Sequence, residues 1–361
     1  MNDDFATAMR RALGKTCAND PVSATAIIQE ALARQTGTAP SAPDRSDTVA
    51  MRSGDPFASL LRDGCKPCSG GGLMQGLQLP SRPAGKEIEV PEGAHYESRH
   101  HGGPAGSRRY TLYTPTDRPA GFAGIVLMLH GCTQSPDDFA RGTRMNEAAE
   151  IAGYIVAYPE QARAHNIQSC WNWFRPEDQA RDQGEPGILA ELVRDLMAEF
   201  DLPEGRAFVA GLSAGGAMAA IMAQAYPDIF AAAGVHSGLP AGAASDVISA
   251  FAAMQGNSVS RTPQGTIPMI VFHGMADTTV SPVNGVRLIA GSGIETQHNG
   301  NGRTWSRFIT HDGSELWRVA QAGHAWFGGD PAGSYTDPFG PDASAEMIRF
   351  FEKIAEGESS R

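Results

Sequence analysis

Apolar residues arrive along this chain in two rhythms, which alternate from about residue 86 onward. Five short runs read as strands: "GIVLMLHG" (124–131), apolar throughout as a buried parallel strand would be, "YIVAYP" (154–159), "RAFVAG" (206–211), "AAAGVHS" (231–237) and "PMIVFHG" (268–274). "RRYTLYTP" (108–115) precedes them as a strand, and "LWRVAQAG" (316–323) closes the series. Helical spacing falls between the runs, at 142–152, at "GILAELVRDLMAEF" (187–200), at 214–226 and over 343–355. Strand–helix alternation at this length predicts an α/β fold: a doubly wound, mostly parallel sheet occupying residues 86–361. There are no internal repeats.

The first 85 residues follow neither rhythm for long. Phe5, Met9 and Leu13 share one helical face, and Asp20–Pro21 starts a second face carried by Ala24, Ile27, Ile28 and Ala31. These predict a small helical segment over 1–34. Residues 35–85 are rich in Gly, Pro and Ser, as a flexible linker would be. Cys65 and Cys68 form a CxxC pair there, but a zinc site needs four ligands and no second pair accompanies it.

Composition narrows the function. The chain is 361 residues long, 41% hydrophobic and carries a formal charge of −11. That balance argues against nucleic acid, whose phosphates need a basic patch, and against polyanionic substrates. No run of 18 apolar residues occurs, so no membrane span is expected. Asp3 and Asp4 interrupt the start where a secretory signal would be apolar, so a cytoplasmic location is expected. Five cysteines do not amount to a disulfide framework.

The chemistry gathers where the predicted strands end, the usual ligand side of an open parallel sheet. Gly211-Leu212-Ser213-Ala214-Gly215 fits the G-x-S-x-G nucleophile elbow, with a strand before it and a helix after it. Asp277 follows the strand ending at Gly274, and His324 follows the last strand. Ser, Asp and His in that order form the triad sequence of α/β-hydrolases. Singly, each residue has a bland alternative: a tight turn, a loop cap, a solvated imidazole. His236 in "GVHSG" is the most credible competing base, whereas His130 and His273 read as packing beneath the site. An oxyanion hole needs two backbone N–H donors. Ala214 supplies one, and the loop in "LMLHGCTQ" offers Cys132 as the other.

"LHGCTQSPDDFA", "YPEQ", "CWNWF", "GLSAGGAMA", "VHSG", "FHGMAD", "GHAWFGG" and "GPDASAEMIRFF" together resemble the poly(3-hydroxybutyrate) depolymerase family esterases of the type 1 catalytic domain. That group also contains feruloyl and acetylxylan esterases. The resemblance covers roughly residues 105–352. It implies an α/β-hydrolase fold, the triad Ser213, Asp277 and His324, and the donors Cys132 and Ala214. It also implies a disulfide between Cys132 and Cys170. The sequence departs from secreted members in lacking a signal peptide and a substrate-binding domain after Phe351, which favours an intracellular form acting on stored polymer.

A serine esterase working through an acyl-enzyme is therefore expected, with no metal and no organic cofactor. Trp171, Trp173 and Trp326, with Phe174 and Phe327, are candidates for an exposed apolar rim that would grip an uncharged polyester or oligoester, although tryptophan is more often core. The favoured substrate is poly(3-hydroxybutyrate) or its oligomers, at a storage-granule surface. Feruloyl, acetylxylan or short-chain esters are the alternative, and a granule-associated scaffold protein is the non-enzymatic one. Nothing in the sequence indicates an oligomeric state.

Overall fold

The computed structural model describes residues 88–258 and 267–358. The expected N-terminal helices, the linker, the Cys65–Cys68 pair and the boundary at 86 lie outside the described residues. Twelve strands appear among the described residues, ten of them in one sheet. In chain order the ten are β1 (His95–Gly103), β2 (Gly106–Thr114), β3 (Gly124–Leu129), β4 (Tyr154–Pro159), β5 (Ala207–Leu212), β6 (Phe230–His236), β7 (Met269–Gly274), β8 (Gly293–Gly300), β9 (Arg303–Thr310) and β10 (Glu315–Val319). Their spatial order is β1-β2-β4-β3-β5-β6-β7-β10-β9-β8.

The six strands from β4 to β10 run parallel, and an antiparallel pair closes each edge. Every residue of β3, β4, β5, β6 and β7 is buried, as their continuous apolar text demands. Alternate residues of β3 serve two cores. Ile125, Leu127 and Leu129 face one cluster with helices α3 (Gly184–Glu199) and α4 (Ala214–Ala225). Val126 and Met128 face the other, with α1 (Pro136–Thr143), α2 (Met145–Ala152) and α7 (Ala343–Glu358). Covered on both faces, the sheet is the doubly wound α/β-hydrolase architecture. Each such side chain contributes roughly 1.5–3 kcal/mol relative to exposure, so a charge at Met128 would break the layer.

Several elements depart from the sequence reading. The helix expected over 142–152 is α2, which starts at Met145, and an unexpected helix, α1, precedes it, the two separated by Arg144 at φ 55°. Ser135 caps α1 by accepting from the Asp138 N–H, and Pro136 follows at the first turn, a start signal upstream of the apolar period. The β1–β2 and β8–β9 hairpins were also unforeseen beyond β2. Short helices α5 (Val247–Met254) and α6 (Val283–Leu288) follow β6 and β7. A two-stranded ladder, β11 (Trp326–Phe327) with β12 (Thr336–Asp337), stands just after His324.

Candidate active site

Ser213 occupies the sharp corner between β5 and α4 with φ 58° and ψ −117°, a conformation costly for a residue bearing a side chain. The corner survives because glycine surrounds it. A Cβ on Gly215 would lie 1.9 Å from the Leu129 carbonyl oxygen, and one on Gly211 would lie 2.4 Å from the Gly215 backbone. The end of β3 therefore presses directly against the elbow. The Ser213 N–H donates to the His236 carbonyl at 2.9 Å, tying the corner to β6 as well.

Asp277 is buried in the loop after β7. Its Oδ1 accepts the N–H groups of Thr279 and Val280, each at 2.9 Å. Its Oδ2 lies 2.8 Å from His324 Nδ1 and 3.5 Å from His273 Nε2. Burial by itself would raise the Asp277 pKa, but the hydrogen bonds from His273 and His324, with the Val280 amide, outweigh it and hold the carboxyl below its ordinary range. An ionised carboxylate only accepts, so His324 carries its proton on Nδ1 and leaves Nε2 free to act as a base. Asp277 and His324 thus meet as expected.

The competing base is a structural residue. His236 is fully buried, stacked between Phe272 and Trp326, and its Nε2 accepts the Phe327 N–H at 3.2 Å. Burial, then repulsion from His273 and His324, drives its pKa well below the ordinary 6.5 and keeps the ring neutral. Its carbonyl holds the elbow and its ring holds the segment after His324, so it joins the two halves of the site without offering a base. His130 is likewise buried: its Nε2 accepts the Gln161 N–H at 3.0 Å, its Nδ1 lies 2.8 Å from the Gly131 carbonyl, and burial pulls its pKa down to about 4.

Cys132 and Ala214, the expected oxyanion donors, lie on segments in mutual contact, since a Cβ on Gly215 would also meet the His130 carbonyl at 2.6 Å. Cys132 is bonded to Cys170 through a disulfide, as the resemblance implies. The Thr133 N–H adds a second tie, donating to the Gln168 carbonyl at 2.8 Å. Among the described residues no cluster of three or more metal-ligating side chains occurs, and no helix is long and apolar enough to cross a membrane.

The family model described as esterase PHB depolymerase matches residues 108–290, half of the chain and every element from β2 to α6. The chain belongs to this family. It is 34% identical over 194 residues to poly(3-hydroxyalkanoate) depolymerase C of Paucimonas lemoignei, covering 50% of this chain and 46% of that one. It is 30% identical over 236 residues to the probable acetylxylan esterase A of Aspergillus fumigatus, covering 59% of this chain and 62% of that one. The match thus spans about half to three-fifths of these relatives' own length. Among solved structures, the acetyl xylan esterase from Aspergillus awamori superposes with a TM-score of 0.57 at 21% identity, covering 71% of this chain and 99% of that one. That likeness supports the fold.

Within this PHB depolymerase-family frame, one expectation fails. Trp171, Trp173 and Trp326 form no exposed rim: they are 0%, 6% and 1% exposed. Trp171 donates its indole N–H to the His130 carbonyl at 3.1 Å and Trp326 donates to Ser344 Oγ at 3.1 Å, so both polar handles are used inside the protein. Phe327 is buried too. Trp171 packs against His130 at the end of β3, Trp326 and Phe327 pack against His236, and Trp173 packs on Phe174, so the rings belong to the core around the site.

Residues unnoticed in the sequence hold the site's loop side instead. Gln134 is buried; its Oε1 accepts the Gly131 N–H at 2.9 Å and its Nε2 donates to the Ser334 carbonyl at 3.0 Å. Asp138 accepts from the Ser334 N–H at 3.1 Å and from Ser334 Oγ. The loop bearing Cys132 is therefore laced to the loop after His324. Glu185, buried at the start of α3, accepts from Asn172 and Gln161, and Gln161 also donates to the Cys170 carbonyl at 3.0 Å. Only the repeated pairing of short polar side chains in "GCTQSPDD" and "AGSYTDP" hints at this, and their partners lie some 200 positions apart.

Proposed function

We propose that this chain is a serine carboxylic ester hydrolase in which Ser213 is the nucleophile, His324 the general base and acid, and Asp277 its orienting partner. The carrying observation is the elbow conformation of Ser213, together with the 2.8 Å contact between Asp277 and His324 Nδ1. His324 Nε2 takes the serine proton as Oγ attacks the ester carbonyl, and Asp277 stabilises the imidazolium. The tetrahedral oxyanion accepts from the N–H groups of Cys132 and Ala214. His324 then returns the proton to the leaving alcohol oxygen, and water releases the acid from the acyl-serine by the same steps.

For substrate we favour an uncharged aliphatic polyester, poly(3-hydroxybutyrate) or its oligomers. Family membership supports this reading, as does the apolar, uncharged character of the side chains exposed on the site's own segments: Ile167 before the disulfide, Met275 before Asp277, and Tyr335 after His324. An acetylxylan-type ester is the second reading, supported by the likeness to the Aspergillus fumigatus enzyme.

Purified protein is assayed on p-nitrophenyl butyrate, amorphous poly(3-hydroxybutyrate), acetylated xylan and a feruloyl ester. Hydroxybutyrate monomer and oligomers are expected as the main products. Ser213→Ala should lower turnover of the nitrophenyl ester about 10⁴-fold or more. A loss of tenfold or less would remove Ser213 as the nucleophile; acetate from xylan without hydroxybutyrate would select the second substrate.

A further inference from the structure

Tyr335 stands where the mouth of the site is built, and nothing in the triad chemistry uses it. Its ring meets His324 edge to face, with centroids 6.5 Å apart, and its hydroxyl lies 3.3 Å from Thr133 Oγ1. Thr133 follows Cys132 directly. One side chain therefore spans from the histidine to the oxyanion loop, while remaining 39% exposed.

Both ends of this span sit in strained backbone. Tyr335 has φ 53° and Thr133 has φ 65°, the left-handed region that non-glycine residues, β-branched ones above all, avoid. Such strain persists only where the surroundings over-determine it. Around Tyr335 they do: its carbonyl accepts the Trp326 N–H at 2.8 Å, and the preceding Ser334 is bound through its N–H and Oγ by Asp138 and through its carbonyl by Gln134. At Thr133 the N–H is held by the Gln168 carbonyl and Oγ1 donates to the Cys132 carbonyl at 2.6 Å. The fold holds a large aromatic ring in a costly conformation, at a place where packing alone would bury it or leave it out.

We propose that Tyr335 is a specificity-determining residue that packs against the alcohol portion of the ester substrate. The inference rests on the proposed ester hydrolysis and deepens it. In acylation the alcohol oxygen must come within hydrogen-bond reach of His324, which protonates it as it leaves. The carbonyl oxygen meanwhile lies at the oxyanion donors. A ring edged against His324 and hydrogen-bonded to the residue after Cys132 flanks the path between those two points, on which the alcohol chain departs. For a polyester, that portion is the next monomer unit.

Two ester series separate this from a structural role. In the first the acyl group stays butyryl while the alcohol grows from methyl to hexyl; in the second the alcohol stays methyl while the acyl group grows from acetyl to octanoyl. For Tyr335→Ala, the ratio of kcat/KM for hexyl butyrate to that for methyl butyrate should fall about tenfold, mostly through KM, as loss of an apolar wall implies. The acyl-series ratio should stay within about twofold of wild type. Tyr335→Phe, which keeps the ring and loses the hydroxyl, should restore most of the alcohol preference. Equal shifts in both series, or no shift in the alcohol series, would overturn the proposal. Absence of any ester hydrolysis by the wild-type protein would instead remove the function on which it rests.

Discussion

The two sides of the site are built by different physics. Ser213 and His236 belong to the sheet: their positions follow from parallel strands buried on both faces and from glycine contacts so close that no side chain fits between backbones. Cys132, Thr133 and Tyr335 belong to loops, and those are held by one disulfide and by hydrogen bonds between side chains far apart in sequence. The sheet side is rigid because displacing it means opening the core. Loop-side order rests on a few discrete ties, each of which can be cut separately. The proposed catalysis needs both, since the proposed nucleophile comes from one and a proposed oxyanion donor from the other.

The largest effect should come from the histidines, which sort function from scaffold. His324→Ala should lower ester turnover by about 10⁴, with the melting temperature little changed. His236→Ala removes a buried ring stacked on Phe272 and Trp326, so it should cost roughly 3 kcal/mol of stability, with activity falling in proportion to the folded fraction. Thermal melts beside initial rates on both variants decide the matter. A mild His324→Ala with a well-folded but dead His236→Ala would exchange their roles.

Next, Gly215→Ala tests the close packing on the sheet side. The added methyl would sit 1.9 Å from the Leu129 carbonyl oxygen, backbone that cannot step aside without moving β3. A loss of about 3 kcal/mol or more in denaturant unfolding is expected, at the upper end for overpacking. Gly313→Ala has no atom within 4 Å of the new methyl but takes φ 88°, so it measures backbone strain without the clash. Equal losses in both would mean that the elbow tolerates displacement and that packing is not what fixes Ser213.

This division also explains what was legible in the sequence. Tyr154–Pro159 is legible with its true limits because a six-residue apolar run, rich in aromatic and β-branched residues and bounded by Gly153 and Pro159, suits a buried strand and is too short for a helix. The β8–β9 hairpin escaped because "GIETQHNG" is exposed at nearly every position and carries no alternation. His101 has polar sequence neighbours, yet it is buried on β1 with Asp195 at 3.2 Å. Of the candidate site, the elbow at Ser213 and the pairing of Asp277 with His324 were legible because each residue follows a strand end. The lacing of Gln134, Asp138 and Ser334 was not, because side-chain partners distant in sequence leave no period. The tryptophans were misplaced for a related reason: aromatic residues beside a catalytic motif can wall a pocket or floor it, and composition does not distinguish the two.

Acid should weaken the sheet side first. The folded state holds His130 neutral with its pKa pulled down to about 4 from the ordinary 6.5, and His236 shifts in the same direction. Below pH 6.5 the unfolded chain takes up protons that the folded chain refuses. Stability from His130 is therefore full above that pH, declines as pH falls, and is exhausted near pH 4. The full loss is about 3 kcal/mol for His130, with His236 adding to it. Asp277, whose pKa is depressed, adds a further decline at still lower pH, below the ordinary carboxylate range, where the unfolded chain binds a proton that the folded carboxylate refuses. Urea midpoints between pH 7 and 4 measure this, and a flat profile across that window would mean that the rings are solvated in the folded protein.

Cutting the covalent tie on the loop side should have the smallest effect. Losing an oxyanion donor outright costs about 10² to 10³ in rate. Reduction of Cys132–Cys170 does not remove the Cys132 amide; it frees the loop, which the Thr133–Gln168 hydrogen bond and the Gln134 contacts still restrain. A fall of about tenfold in kcat is therefore expected on reduction, with KM for a small ester little changed, because the donor acts on charge that appears in the transition state. Reoxidation should restore it. Mass spectrometry of alkylated, unreduced protein establishes the starting state, and doing so for protein made in reducing and in oxidising compartments also bears on where the enzyme works, since such bridges persist where thiols are oxidised. Cys132→Ala with Cys170→Ala gives the same cut without reductant, leaving the backbone N–H at 132 in place. If that double variant retains full kcat while its melting temperature falls, the bridge stabilises the fold and the hydrogen bonds alone position the donor. A loss well beyond tenfold would show that the loop side depends on its covalent tie as heavily as the sheet side depends on its glycines.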